Sequence, residues 1–419
     1  MPPERLHEMS GPTAIEKPVR TVFVEPSWKM RQEFADLIRH PPDGYRFIQT
    51  PTISEGLAQR LARYSLFYKV HWQLLKFLPI QLAKPYWERF KRLPPNVDLT
   101  YAVLHPVFRR EPWVLDMRLE QPHLLVGSEA VFRRWRGLLK PAFTSRFCRR
   151  IIFELEAGKQ AFLQLTGWYE LEPKMTVVNS AVPRRRFAKT RRDQGNPRFK
   201  LLFVNSANIN ADKHFYAHGG SVLLAAFLRV QQRYDNVELV IRSDIPPNIK
   251  RHLRGIPNLR VIDTIIPWEE LEKEFMTADI FVYPTHVTPS IVFLDAMSYE
   301  LPIVTTDVWG NPELVQDGGA GLLVHHLGAK DYTDGFIVHF DSRAWQRAIV
   351  SVDEKLVQGV VEKVSLLIED PELRRRLGRE GRQEVEEGKF STKRRNEALK
   401  QVLDEAIAGP LDGQRHDER

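Results

Sequence analysis

The chain has a single cysteine, Cys148, in 419 residues, which excludes an intramolecular disulfide framework and a cysteine-based zinc cage. It has no uninterrupted apolar run of the ~18 or more residues that a membrane-spanning helix needs. Its opening stretch, MPPERLHEMSGPTAIEKPVR, lacks an apolar h-region and reads as a polar leader without a secretion signal. With the lone cysteine, this points to the cytosol. No helix-turn-helix, zinc-finger or RNP-type signature accompanies its basic residues, so nucleic acid is not the expected partner.

What is present is an ordinary globular composition, 43% hydrophobic and 27% charged, in a length that suits two domains. The net charge of +8 favours anionic partners, whether a phosphorylated small molecule or a lipid surface. Basic residues crowd Arg133, Arg134, Arg136, Lys140, Arg146, Arg149 and Arg150, mostly on an expected helix carrying Phe132, Trp135, Leu138 and Leu139. They crowd again from Arg184 to Arg192, and the stretch from Arg60 to Leu93 interleaves Lys and Arg with aromatics. Such surfaces suit peripheral contact with an anionic membrane; the plainer alternative makes the aromatics core and the charges a solvated face.

Compact β-branched runs recur at helix-length spacing. VRTVFVEPS, YRFIQTPT, DLTYAVLHPV and PWVLDM read as strands, RRIIFELEAGKQAFLQLTG as strand into helix, and KMTVVNSAV as a closing strand. A polar, charge-dense stretch then marks a linker. The second series runs FKLLFVNSA, VELVIRS, LRVIDTI, IFVYPT and PIVTTD with helices between, and a charged helical tail follows Asp353. Strands alternating with helices imply parallel, doubly wound sheets. The expected α/β architecture is a leader (1–19), a first Rossmann-like domain (20–183), a linker (184–198), a second Rossmann-like domain (199–385), and a C-terminal helix with a polar tail (386–419).

In such sheets ligands lie outside the carboxyl ends of the strands, here after Val204, Ile241, Ile265, Tyr283 and Thr305. After Tyr283 the chain reads PTHVTPSIVFLDAM. Thr288, Pro289 and Ser290 suit the cap and first turn of a helix whose exposed amides, with Ile291, bind phosphate. Asp295 lies about two turns in, where its carboxylate can accept hydrogen bonds from a ribose. Otherwise Thr288 caps an ordinary helix and Asp295 is solvated. The long loop after Val204 ends in His218, Gly219 and Gly220, glycines that allow backbone to approach a ligand. Lys213, His214 and His218 are cationic candidates to meet a diphosphate, Arg242 points to the same rim, and Thr264 to Pro267, including Ile266, can meet a base through backbone groups.

From Phe199 to Val324 the order HGGSVLLAAF, VELVIRS, LRVIDTI, PWEELEKEFMTADIFVYPT and LDAMSYELPIVTTDVWGNPELVQDGGAGLLV resembles the donor domain of the retaining glycosyltransferases of family 4, the group 1 type. The resemblance implies GT-B architecture, a nucleoside diphosphate sugar as co-substrate, no cofactor and no metal. It also implies a sugar, lipid-linked or small polar acceptor on the first domain. There the family often places a His or an acid facing the donor, which makes His105 and Asp116 candidates for catalysis together with Lys213. The family usually has two glutamates on the PTHVTPSIVFLDAM segment; here the first position is Val287 and the second is Asp295, with His286 beside the gap as a partial substitute. The expected function is hexosyl transfer. A catalytically weak GT-B protein that binds nucleotide or glycan is the alternative, since Val287 interrupts the pattern.

Overall fold

The computed structural model describes residues 19–25, 32–49, 78–79, 82–118, 121, 125–185, 198–205 and 211–409. The leader up to residue 18, residues 60–77 of the basic aromatic stretch, linker residues 186–197 and the last ten residues of the tail lie outside the described residues. So does the side chain of Lys213.

In the first half, β1 (Arg20–Glu25), α1 (Gln32–Arg39), β2 (Tyr45–Ile48), α2 (Ala83–Glu88), β3 (Leu99–Val103) and β4 (Trp113–Arg118) come first. They are followed by α3 (Glu129–Thr144), β5 (Cys148–Phe153), α4 (Glu156–Thr166) and β6 (Met175–Val177). The six strands form a parallel sheet in the order β2-β1-β3-β4-β5-β6. All residues of β3 and β4 are buried, the near-continuous apolar pattern of strands covered on both faces. Ser128 caps α3 by accepting from the Val131 amide, and Gly167, at φ 69°, ends α4 in the left-handed conformation. Burial pushes the Cys148 thiol up to about 12, so it packs as an inert apolar group.

The second half contains β7 (Phe199–Val204), α5 (Ala211–Ala217), α6 (Gly220–Arg233), β8 (Val237–Arg242), α7 (Pro247–Leu253), β9 (Leu259–Ile262) and α8 (Trp268–Thr277). Next come β10 (Ile280–Tyr283), α9 (Ser290–Ser298), β11 (Ile303–Thr306), α10 (Asn311–Leu314) and β12 (Gly321–Val324). Its parallel sheet has the order β12-β11-β10-β7-β8-β9, so the direction of winding reverses between β7 and β10. Two local expectations change. The stretch after Val204, expected as one long loop, folds in its second half into α5, because Phe215 is fully buried in the second core. The third strand of this series ends at Ile262 rather than near Ile265, which is 73% exposed.

Between β12 and the long helix α12 (Glu354–Glu369) lies a compact insert of β13 (Thr333–Asp334), β14 (Ile337–Val338) and α11 (Arg343–Val350) around Tyr332, Val338, Trp345 and Ile349. The chain ends in α13 (Pro371–Glu386) and α14 (Thr392–Ala408). Asp370 and Ser391 cap these two helices through their side chains. The last helix crosses back to the first sheet, where Leu399, Val402, Leu403 and Ala406 pack against β1, β2 and β3 residues such as Val22, Phe47 and Tyr101.

Candidate functional site

The reversal between β7 and β10 opens a crevice at the carboxyl ends of those strands, where ligands of doubly wound sheets lie. The loop from Pro284 to Pro289 shapes it and is tied on both sides. The His286 amide donates to the Ala217 carbonyl at 2.9 Å, and the Thr306 hydroxyl donates to the Thr285 carbonyl. These bonds fix the start of α9. The cap residue of that helix is Pro289, and no side chain caps its first turn. Thr288, expected to cap it, instead accepts from the Gly310 amide at 3.1 Å, which joins this loop to the one after β11. Without a side-chain cap, the amides of Ser290 and Ile291 begin a helix whose positive end is suited to an anion.

Asp295 sits deeper in α9, partly buried, with its carboxylate 3.7 Å from Arg185. The Arg185 guanidinium also lies over the Trp268 ring at 4.7 Å. Arg242, at the end of β8, donates to the Asn205 carbonyl at the end of β7, and burial lowers its pKa. Ile266 is partly buried against the second core, and Lys213 belongs to α5.

The glycines and histidines serve packing ends that spacing did not reveal. A Cβ on Gly219 would lie 1.8 Å from the Pro284 carbonyl oxygen, and one on Gly220 would lie 2.4 Å from the Phe215 ring. These glycines let the turn before α6 approach the protein's own backbone and core. His218 bonds through Nδ1 to the Thr285 hydroxyl at 3.3 Å and packs on Tyr283. His286 is 1% exposed, and its Nδ1 lies 2.9 Å from His326 Nε2 and 3.3 Å from the Tyr332 hydroxyl. Burial pushes both His218 and His286 down to about 3. Burial therefore disfavours a positive charge on His218, one of the cationic candidates, and on His286, the candidate substitute for the missing glutamate.

A folded-state pKa below the unfolded one means that the unfolded chain binds more protons. Stability is therefore full above about pH 6.5 and falls as the pH drops toward 3. Acidification from about pH 7 to about pH 5 is expected to cost roughly 1–2 kcal/mol for each of these rings. His286→Asn should flatten the dependence of the urea midpoint on pH; an unaltered slope would show that the ring titrates normally.

On the first sheet, His105 lies two residues beyond the end of β3, whereas Asp116, expected to end its strand, lies inside β4, which runs on to Arg118. Asp116 is 2% exposed, and its carboxylate accepts from the Tyr101 hydroxyl at 2.5 Å and from the Arg118 amide at 3.1 Å. Both oxygens are engaged internally, so this carboxylate orders the strand ends instead of standing open to a substrate. His105 bonds through Nδ1 to the Val103 carbonyl at 2.7 Å, and its Nε2 lies 3.8 Å from Glu25. Glu25, Glu88 and His105 bring one ligand atom each within 4.8 Å of one another. Arg109 already pairs with Glu25 there. Burial alone would raise the Glu25 pKa, but bonds from His105 and Arg109 win and hold it at about 2.

Sequence reasoning missed the residues that join the two sheets. Glu313, on α10, accepts the Glu156 and Ala157 amides at 2.8 and 2.7 Å and so caps α4 of the other sheet. Leu155 packs so close that a Cβ on Gly310 would lie 2.7 Å from it. The insert adds His339 on Glu129 at 2.9 Å, the Phe336 amide on Gln164 at 3.1 Å, and Ile337 in the first core. Its aromatic content and the unusual length between Val324 and α12 were the available signals. Glu313→Ala should lower stability by about 1–2 kcal/mol through loss of this cap. Glu313→Gln should retain part of it, and equal urea midpoints for all three proteins would contradict the capping role.

Solved structures share the fold. The Anabaena Alr3699/HepE structure in complex with UDP and glucose aligns with a TM-score of 0.57 over 92% of this chain and 99% of that one, at 14% identity. WaaG, a glycosyltransferase involved in lipopolysaccharide biosynthesis, aligns at 0.53 over 91% and 99%, also at 14% identity. The fold is GT-B. Within this GT-B chain, residues 202–342 match the family model described as glycosyl transferases group 1. The alpha-maltose-1-phosphate synthase of Mycolicibacterium smegmatis is 30% identical over 120 residues, 28% of this chain and 25% of that protein. The D-inositol 3-phosphate glycosyltransferase of Pseudarthrobacter chlorophenolicus is 29% identical over 167 residues, 37% of this chain and 38% of that protein. The matches thus span between a quarter and two fifths of the length of these relatives, and the group 1 model falls on the half of the GT-B fold that holds α9.

Proposed function

We propose that the chain transfers a hexosyl group from a nucleoside diphosphate sugar to a hydroxyl acceptor, with retention of configuration and without a metal ion or other cofactor. The acceptor is a sugar, a lipid-linked compound or a small polar molecule, in glycan, glycolipid or compatible-solute synthesis. The site of action is the cytoplasm, at or near the inner membrane face. One observation carries this reading: the uncapped start of α9 at the reversal point of the second sheet, inside the segment that matches the group 1 model. Amides aimed at a departing diphosphate stabilise its charge without proton transfer. Asp295 lies within the same helix, where a carboxylate can hold ribose hydroxyls once Arg185 yields it.

A second reading, a donor-binding GT-B protein of weak activity, is favoured by Val287 at the place of the first family glutamate and by the neutral His286 beside it. The test is release of nucleoside diphosphate from a panel of UDP-, GDP- and ADP-sugars, with binding measured in parallel. Turnover that falls on the order of 10²-fold in Asp295→Ala and Arg242→Ala supports transfer. Tight binding with no turnover selects the second reading, and absence of binding to every donor refutes both.

A further inference from the structure

We infer that residues 86–92 form a docking surface for an anionic lipid bilayer. Tyr86, Trp87 and Phe90 are 45%, 69% and 64% exposed, a concentration of aromatic surface that the described residues leave uncovered. Cations are interleaved with them. The Arg89 guanidinium lies over the Tyr86 and Phe90 rings at 3.9 and 4.5 Å, and Lys91 and Arg92 are exposed beside it. Glu88, mostly covered, lies 3.5 Å from Lys91 and offsets one of the three charges.

The basic face of α3 offers a contrast. There Arg133 pairs with Glu129, Lys140 with Glu170, and Arg136 donates to the Thr166 carbonyl, while Phe132 and Leu139 are core. Carboxylates of the protein thus offset two cations of that face, Arg133 and Lys140. The 86–92 surface presents rings together with three cations, of which Glu88 offsets one among the described residues, and aromatic rings settle at the headgroup level while each nearby cation strengthens attachment to an anionic leaflet about fivefold.

The surface is anchored firmly. Leu82 is part of the first core, Tyr86 meets Phe108 edge-on at 6.0 Å, and the Glu88 carbonyl accepts from Arg109 at 3.3 Å. Phe108 and Arg109 follow β3, so the docking surface lies at the carboxyl edge of the first sheet, the edge at which an acceptor would enter. That last role rests on the transferase reading; the docking does not.

The test is flotation of the full chain with vesicles of phosphatidylcholine alone or with about 30 mol % phosphatidylglycerol, in low and high salt. Flotation with anionic vesicles, weakened by salt and reduced on the order of tenfold or more in Trp87→Ala/Phe90→Ala and in Arg89→Gln/Lys91→Gln/Arg92→Gln, supports the inference. Unaltered thermal midpoints confirm that these exposed substitutions leave the fold intact. A wild-type chain that stays in the supernatant overturns the inference, as do variants that float as well as it does, or a wild-type chain that binds duplex DNA in preference to vesicles. Vesicle binding in a protein that turns over no donor would sink the transferase reading alone.

Discussion

Alanine at Gly219 is expected to destabilise the protein by about 3 kcal/mol or more, because two independent penalties coincide there. The residue has φ 79°, a left-handed conformation that costs an L-residue roughly 1 kcal/mol or more. Its added Cβ would also lie 1.8 Å from the carbonyl oxygen of Pro284, a backbone atom that no side-chain rotation can remove from the way. The loop before α9 would have to shift, so donor binding should weaken along with stability. Gly167 supplies the control: it has φ 69°, and nothing lies within 4 Å of the added Cβ, so alanine there should cost only the backbone penalty. Urea denaturation of both variants checks the difference. If Gly219→Ala and Gly167→Ala lose stability equally, the close approach to Pro284 does not exist in solution.

Arg395→Met is expected to cost about 3–5 kcal/mol, the penalty for stripping one partner from a buried ion pair. Arg395 is 5% exposed on α14 and donates to Asp36 of α1 at 2.8 Å and to the His40 carbonyl at 3.0 Å. Removing the guanidinium leaves the carboxylate of Asp36, itself 7% exposed, with the His40 ring at 2.9 Å as its remaining side-chain partner among the described residues. The helix that closes one face of the first sheet would then be held by its apolar residues and by exposed pairs such as Arg20 with Asp404. Replacing both members, as in Arg395→Met/Asp36→Leu, should recover most of the loss, since no charge remains to be solvated. A single variant as stable as the double would show that the pair is not buried in solution.

Much of the architecture was legible because strands covered on both faces must be apolar along their whole length. FKLLFV, VELVIR and IFVY stood out as buried parallel strands, with helix-length spacing between them. The start of α9 was legible for a related reason: Pro289 and Ser290 follow a strand and precede an apolar run, a local signal. The role of Thr288 was not, since its hydroxyl is claimed by Gly310 on the next loop, and nothing in the neighbourhood of Thr288 encodes that pairing. The histidines show the same limit. A histidine after a strand reads as a group that can take a proton, and only the tertiary structure shows that burial, of His218 beside Tyr283 and of His286 beside His326 and Tyr332, pushes that protonation to lower pH.

By itself the sequence determined the two series of strands and helices, the carboxyl-edge placement of the candidate loops and the break in the family pattern at Val287. These depend on periodicity and residue type within short windows. Only the tertiary structure decided that Glu313 caps a helix of the opposite sheet, that α14 returns to cover the first sheet, and that Gly219 and Gly220 serve protein packing. Each of these depends on groups far apart in the chain, and their contact energies arise only when the two sheets and the last helix are brought together.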